Sequence, residues 1–257
     1  PLDFEVESWN VDGVSHVWVK VPELTAETTI YALWGKAGVD MPECTTNGAT
    51  WSEGFKAVWH MVADENNKLA ESTANNYVGT LDSSGVGFTA DGYAGGAASF
   101  ASSGNGYGAV GGINCGDVSV VGSQTIAMWL KVSNLDQRRN PINKAYGGEG
   151  TFNIFQGGSL VYFYGIAGKD GDPHQSHAAP AGTIKIGEWI HVAHVRDVNA
   201  PATLHWYING VEENSTTCLY PAVAKSTNPL WIGKGYNYPF NGVIDEVRMS
   251  EVARSAD

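Results

Sequence analysis

Asp245 sits in GVIDEVRM, where it shares the alternation phase of Val243, Val247 and Met249. That phase points into a core, and a carboxylate among apolar neighbours is costly unless it is hydrogen-bonded, paired or bound to a cation. Backbone N–H groups of a neighbouring loop would satisfy it without any ion. A second concentration of chemistry is GKDGDPHQSH at 168–177, which holds Asp170, Asp172, His174 and His177. The Asp-x-Asp spacing can meet calcium, two imidazoles with an acid can meet zinc, and the same loop can hold a ligand at a sheet edge. Its Gly and Pro fit a plain solvated loop equally well. His60, His191, His194 and His205 fall in or near strand-like segments. His191 and His194 are three residues apart, so a regular strand sends them to opposite faces, and no catalytic dyad is read from them. Aromatic rings offer a different chemistry. A ring exposed on a concave sheet can stack on the apolar face of a sugar while nearby polar groups take its hydroxyls. Trp129 is out of phase with Met128 and Leu130, Tyr207 is out of phase with Trp206, and Tyr162 and Tyr164 lie on an alternating strand. With Asp172, His174 and His177 they are the candidate ligand-binding residues, and Tyr146, Tyr236 and Tyr238 are further rings near turns.

The elements that must position these groups are strands. The 257 residues suit one large β domain, or one domain with a small appendage, and can bury a sizeable core. Only 16% of them are charged while 32 are Gly, a balance of many turns and few polar surface helices. A formal charge of −12 opposes phosphate backbones and anionic lipid, which argues against nucleic acid as a partner. No apolar run approaches the roughly 20 residues needed to cross a bilayer, so direct membrane insertion by this segment is not expected. The opening PLDFEVESWN already alternates like a strand, and the expectation is a mature or excised segment. Cys44, Cys115 and Cys218 contain no close metal-binding pair, and they allow one disulfide or none. The Asn214-Ser215-Thr216 sequon is read as a chance match.

Period-two apolar patterning predicts strands around Leu2, Phe4 and Val6, around Val17, Val19 and Val21, and over 29–34. Further strands are predicted at 55–61, 118–132, 151–156, 160–165, 189–196, 204–209, 230–233 and 242–249. Residues 36–53 read as a linker or long loop, and the polar run after Asp64 as an irregular surface loop. Asn209-Gly210 marks a two-residue hairpin turn. This spacing leaves no room for crossover helices and predicts an all-β fold of two packed antiparallel sheets.

Four segments carry a family resemblance: QTIAMWLKV at 124–132, GEWIHVAHVRD at 187–197, LHWYINGVEE at 204–213 and PLWIGKGYNYPFNGVIDEVRMSEVARS at 229–255. From about Val58 to the end the chain resembles the laminin-G-like, or concanavalin-A-like, jelly-roll family, especially the bacterial subgroup appended to surface and polysaccharide-processing proteins. PLDFEVESWN, VSHVWVKVPEL and TTIYALWG resemble the latter part of a small bacterial β module that precedes such jelly rolls. The resulting division is 1–53 as an N-terminal β segment with linker and 54–257 as an antiparallel two-sheet jelly-roll sandwich. The resemblance also implies a structural calcium ion between an early polar loop and the late strand, held here by Asp64 with Glu65 or Asn66 and by Asp245.

Glucanases of this general fold carry a Glu-x-Asp-x-x-Glu strand, and GVIDEVR lacks its first Glu. The Arg-rich and Gln-x-His strands of jelly-roll alginate lyases and a G-x-S-x-G elbow are missing as well. The leading expectation is a noncatalytic extracellular, cell-surface or periplasmic module that binds a glycan or polysaccharide, with calcium ordering its loops. A polysaccharide hydrolase or lyase is one alternative, and an adhesion domain docking another surface protein is the other.

Overall fold

The computed structural model describes residues 1–82 and 85–255. An N-terminal hairpin pairs β1 (Phe4–Ser8) with β2 (His16–Val19). It is followed by β3 (Phe55–Trp59), β4 (Lys68–Leu69), β5 (Gly79–Leu81), β6 (Val86–Thr89), β7 (Ala97–Ala101) and β8 (Ile113–Asn114). Then come β9 (Gln124–Val132), β10 (Arg139–Ala145), β11 (Gly150–Ile154), β12 (Leu160–Gly165) and β13 (His174–Ala178). The last are β14 (Trp189–Asp197), β15 (Thr203–Ile208), β16 (Val211–Thr217), β17 (Trp231–Ile232), β18 (Tyr238–Pro239) and β19 (Asn241–Ser250). Among the described residues the only helical turns are three short 3₁₀ segments.

Two sheets form a jelly-roll sandwich. One runs β16-β15-β14-β9-β19-β7-β6, and the other β13-β12-β11-β10-β17-β8-β5-β4. The outer edge of β19 is shared: its first half pairs with β7 and its second half with β3. The pleat of β9 explains why the sheets pack. Ile126, Met128, Leu130 and Val132 are buried on one face, while Ala127, Trp129 and Lys131 alternate with them on the other. The inward set meets Phe152, Tyr162, Trp206, Ile244 and Val247 in a continuous core. Arg196 of β14 enters that core as well. Its guanidinium donates to the carbonyls of Val120, Gly122 and Glu149 and to the Tyr162 hydroxyl, and so ties the chain leading into β9 to both sheets.

Several sequence expectations are corrected here. Residues 29–34 have no strand partner, and Tyr31, Leu33 and Trp34 are exposed, so alternation alone did not make a strand there. The long 118–132 segment becomes a strand only at Gln124. β10 was invisible in the sequence because RNPINKA shows no apolar alternation. Its Arg139, Asn140, Asn143 and Lys144 are nevertheless buried and hydrogen-bonded. β13 lies at the end of a run read as loop. All three cysteines are free. The Asn209-Gly210 turn forms as expected, with φ of 50° and 82°.

Candidate functional site

The phase of β19 decides the chemistry of the site. Between Asp245 and Arg248 its register against β9 slips by a bulge, and Glu246 takes φ 50°. Ile244, Val247 and Met249 therefore share the core face, while Asp245 pairs with Trp129, and Arg248 with Ala127, on the outer face. Asp245 is thus not a core carboxylate as its alternation suggested. It is covered from outside by the 92–96 loop: Tyr93 N–H and Ala94 N–H donate to Oδ2 at 2.8 and 3.0 Å, and Glu246 N–H to Oδ1 at 2.8 Å. Burial, with the Glu246 charge beside it, lifts its pKa to about 6 against the pull of those N–H groups.

The outer face of the β14-β9-β19 sheet forms a groove of about 850 Å³. Cross-strand pairing explains its shape. Ala193 faces Ala127, and Arg248 lies beside them, so the floor is low where two methyl groups meet. One row along, His191 faces Trp129, and Trp189 stands beyond. Tyr93 stacks on Trp129 with planes 13° apart and keeps 52% of its own surface exposed. The opposite wall comes from outside the sheet: Trp18 of the N-terminal hairpin, Phe55, and Arg254 whose guanidinium lies 3.8 Å over the Phe55 ring. Arg248 lies over Trp18 and Trp51 and donates to Glu246 Oε2 at 2.5 Å. Burial, with Arg248 nearby, holds the His191 pKa below its ordinary value, so the groove presents a neutral imidazole. The site therefore offers flat apolar rings beside guanidinium and imidazole donors, a surface suited to a ligand with alternating apolar and hydroxyl faces. Among the described residues that line it, Glu246 is the one carboxylate.

The residues singled out in the sequence fall in separate places. Trp129 is on the groove floor, and Tyr207 is on the same face, paired with Ala193 one strand further out. Tyr162 and Tyr164 are fully buried between the sheets and reach no surface ligand. They point inward on β12, where Tyr162 accepts from Arg196 and Tyr164 stacks on Tyr162. Asp172 is exposed beside His174, which packs between Tyr146 and Phe163 on the far sheet. His177 points the other way, buried with Nδ1 3.1 Å from His194 Nε2, so the two imidazoles of that loop do not converge. Burial lowers the pKa of His177 to about 4, and that of fully buried His194 well below the usual imidazole range. Asp170 is taken up by the Tyr107 hydroxyl and the Tyr146 N–H.

Asp64 and Asp245 are each held by backbone N–H groups. Asp64 Oδ1 accepts from Asn66 N–H and Lys68 N–H, closing its own turn, while Glu65 and Asn66 are exposed. The oxygens of Asp245 are taken by three backbone donors. Sequence reasoning missed Trp18, Tyr93, Trp189 and Arg248. Only the outward phase of Trp189, next to Ile190, was available as a signal, since the other three depend on a remote hairpin, a loop and a bulge.

The class is thus an antiparallel two-sheet jelly roll with an aromatic groove on the outer face of one sheet. The family profile described as the concanavalin A-like lectin/glucanases superfamily matches residues 102–257, and the chain belongs to that superfamily. A search of curated proteins finds no match. Among solved structures, the chain is similar to domain 4 of AbnA, a GH43 extracellular arabinanase from Geobacillus stearothermophilus, in complex with arabinotriose. That match has a TM-score of 0.58 at 24% identity, over 79% of this chain and 95% of that one. It is also similar to the ligand-binding domain of botulinum neurotoxin serotype D in complex with N-acetylneuraminic acid, with a TM-score of 0.59 at 14% identity over 78% of this chain. The binding domain of Paraclostridial Mosquitocidal Protein 1 gives 0.58 at 14% identity over 79% of this chain. The aligned region spans 48% and 50% of those two chains. At these identities the likeness is one of fold. Among the described residues no helix is long and apolar enough to cross a membrane.

Proposed function

We propose that this chain is a noncatalytic glycan-recognition module acting outside the cytoplasm, with the groove over β9, β14 and β19 as its sugar site. The observation that carries the reading is the groove itself: exposed Tyr93 stacked on Trp129, with Trp189 and Trp18 around a floor of two alanines. Such a floor admits a sugar ring edge-on or flat against the rings, and His191 and Arg248 supply donors for hydroxyl oxygens. Domains of this fold solved with arabinotriose and with N-acetylneuraminic acid support a carbohydrate as the ligand, and the extracellular arabinanase supports the location. Hydrolysis by paired carboxyls would need two acids flanking the bond, and Glu246 is already held by Arg248.

A glycan array, run with calcium and again with chelator, tests this. The expected result is a dose-dependent hit that Ala127→Trp abolishes by filling the floor, while the fold is kept. A blank array from folded protein would overturn it.

A further inference from the structure

Beneath the groove, where the N-terminal hairpin meets β3 and β19, lies a buried group that sugar binding does not use. Glu7 of β1, His60 just after β3 and Glu246 at the β19 bulge bring one ligand atom each within 4.8 Å of one another. We propose that these three residues bind a divalent transition-metal ion of the zinc type, joining the hairpin to the sandwich.

The argument is in how each side chain is held. His60 Nδ1 faces Glu246 Oε1 at 2.6 Å and lies 3.9 Å from Glu7 Oε2, while its other nitrogen, Nε2, faces Glu5 Oε2 at 3.4 Å. Glu5 is itself fixed by Ser72 and Trp51. A carboxylate on the far nitrogen of an imidazole is the arrangement that orients a metal-binding histidine. Arg248 holds Glu246 by Oε2 and leaves Oε1 toward His60. Trp18 Nε1 holds Glu7 by Oε2 at 2.8 Å, and Oε1 is buried with no hydrogen-bond partner. The Glu7 side chain is only 2% exposed, so this is a desolvated carboxylate oxygen without a donor, a costly state that a cation relieves. Gly95 closes over that oxygen, and any Cβ there would collide with it.

Charge points the same way. Glu5, Glu7 and Glu246 are gathered around one imidazole, and one guanidinium, that of Arg248, lies on Glu246. One nitrogen and two carboxylate oxygens suit zinc better than calcium, which prefers an all-oxygen shell. Three protein ligands leave a fourth position, and Glu246 lies on the groove wall, which gives an ion its route of entry.

The test uses the full chain with any affinity tag removed. Zn2+ is titrated by calorimetry, metal content is measured after chelator treatment and reloading, and the melting temperature is recorded with and without Zn2+. The expected result is one Zn2+ per chain and a Zn2+-dependent rise in melting temperature. Glu7→Gln should weaken binding at least ~10-fold, and His60→Gln should remove it. Glu7→Gln keeps the size of the side chain and an acceptor for Trp18, so it decides the matter if His60→Gln does not fold. Absence of stoichiometric Zn2+, or binding unchanged in folded Glu7→Gln, would overturn the proposal.

Discussion

Replacing Arg196 with Met tests whether the buried guanidinium is a structural hub. Arg196 makes five hydrogen bonds, to Val120 O (2.7 Å), Gly122 O (2.9 and 3.1 Å), Glu149 O (3.1 Å) and Tyr162 Oη (2.8 Å), and is fully buried. Methionine keeps the aliphatic stem and fills much of the volume, so the change removes donors more than packing. Glu149 O still accepts from Tyr162, but the carbonyls of Val120 and Gly122 lose their guanidinium donor. A buried acceptor left orphaned at Val120 costs about 1–3 kcal/mol, and the half-buried one at Gly122 adds to it. Part of this is returned because a buried charge no longer has to be desolvated, and for some buried ionic groups that return cancels the loss entirely. The balance expected here is a destabilisation of about 3 kcal/mol. In urea unfolding, read by tryptophan fluorescence, it moves the midpoint down by about 1 M with little change in slope. Arg196→Lys should also destabilise, because a single ammonium cannot span carbonyls that the planar fork reaches. A midpoint for Arg196→Met within error of the parent would refute the reasoning and show that the core tolerates an apolar plug.

The His177–His194 pair makes stability pH-dependent. Both imidazoles are held below 6.5 in the fold, so the unfolded chain binds protons that the native one refuses. The stability this pair contributes is fully present above pH 6.5 and is lost as pH drops from about 6.5 toward 4, while Asp245, raised to about 6, gives the opposite slope in the same window; the parent should therefore lose more stability than His177→Asn between pH 6.5 and 4, and equal losses in the two would contradict it. Asp245→Ala removes the acceptor for Tyr93 and Ala94 N–H, and hydrogen exchange at those two amides should speed up at least ~10-fold while the β9 core stays protected. Gly150→Ala should destabilise by more than ~1 kcal/mol, because φ is 120° and an added Cβ would collide with the Tyr162 ring; a neutral thermal melt would count against that contact.

The sandwich was legible because β9, β15 and the first half of β14 bury one face, so buried apolar residues alternate with less buried ones along them. The same rule failed where burial is polar, as in β10, whose Asn and Arg side chains replace an apolar stripe with hydrogen bonds. It also failed at 29–34, where alternation exists but no neighbouring strand supplies a ladder. The site was half legible. The outward phase of Trp129 could be read from Met128 and Leu130, but the single extra residue at Glu246 inverts the phase of Asp245, and period-two reasoning has no local signal for such a slip. Tyr162 and Tyr164 were misplaced because an alternating strand does not say which of its faces is the core. Trp18 and Tyr93 reach the groove through tertiary contacts that no local pattern encodes.

The shared edge of β19 bears on how this protein can be cut and recombined. A fragment started at residue 102, where the family match begins, would lose β3, β6 and β7 together. The ten-residue β19 would then carry its inner neighbour β9 and a bare outer ladder along its whole length, an invitation to intermolecular pairing. It would also discard Trp18, Phe55 and Tyr93, and with them one wall of the groove and the lid on Trp129. The heritable sequence signature and the smallest portable unit are therefore different lengths in this chain, and a graft intended to move its surface to another scaffold has to begin at the N-terminal hairpin.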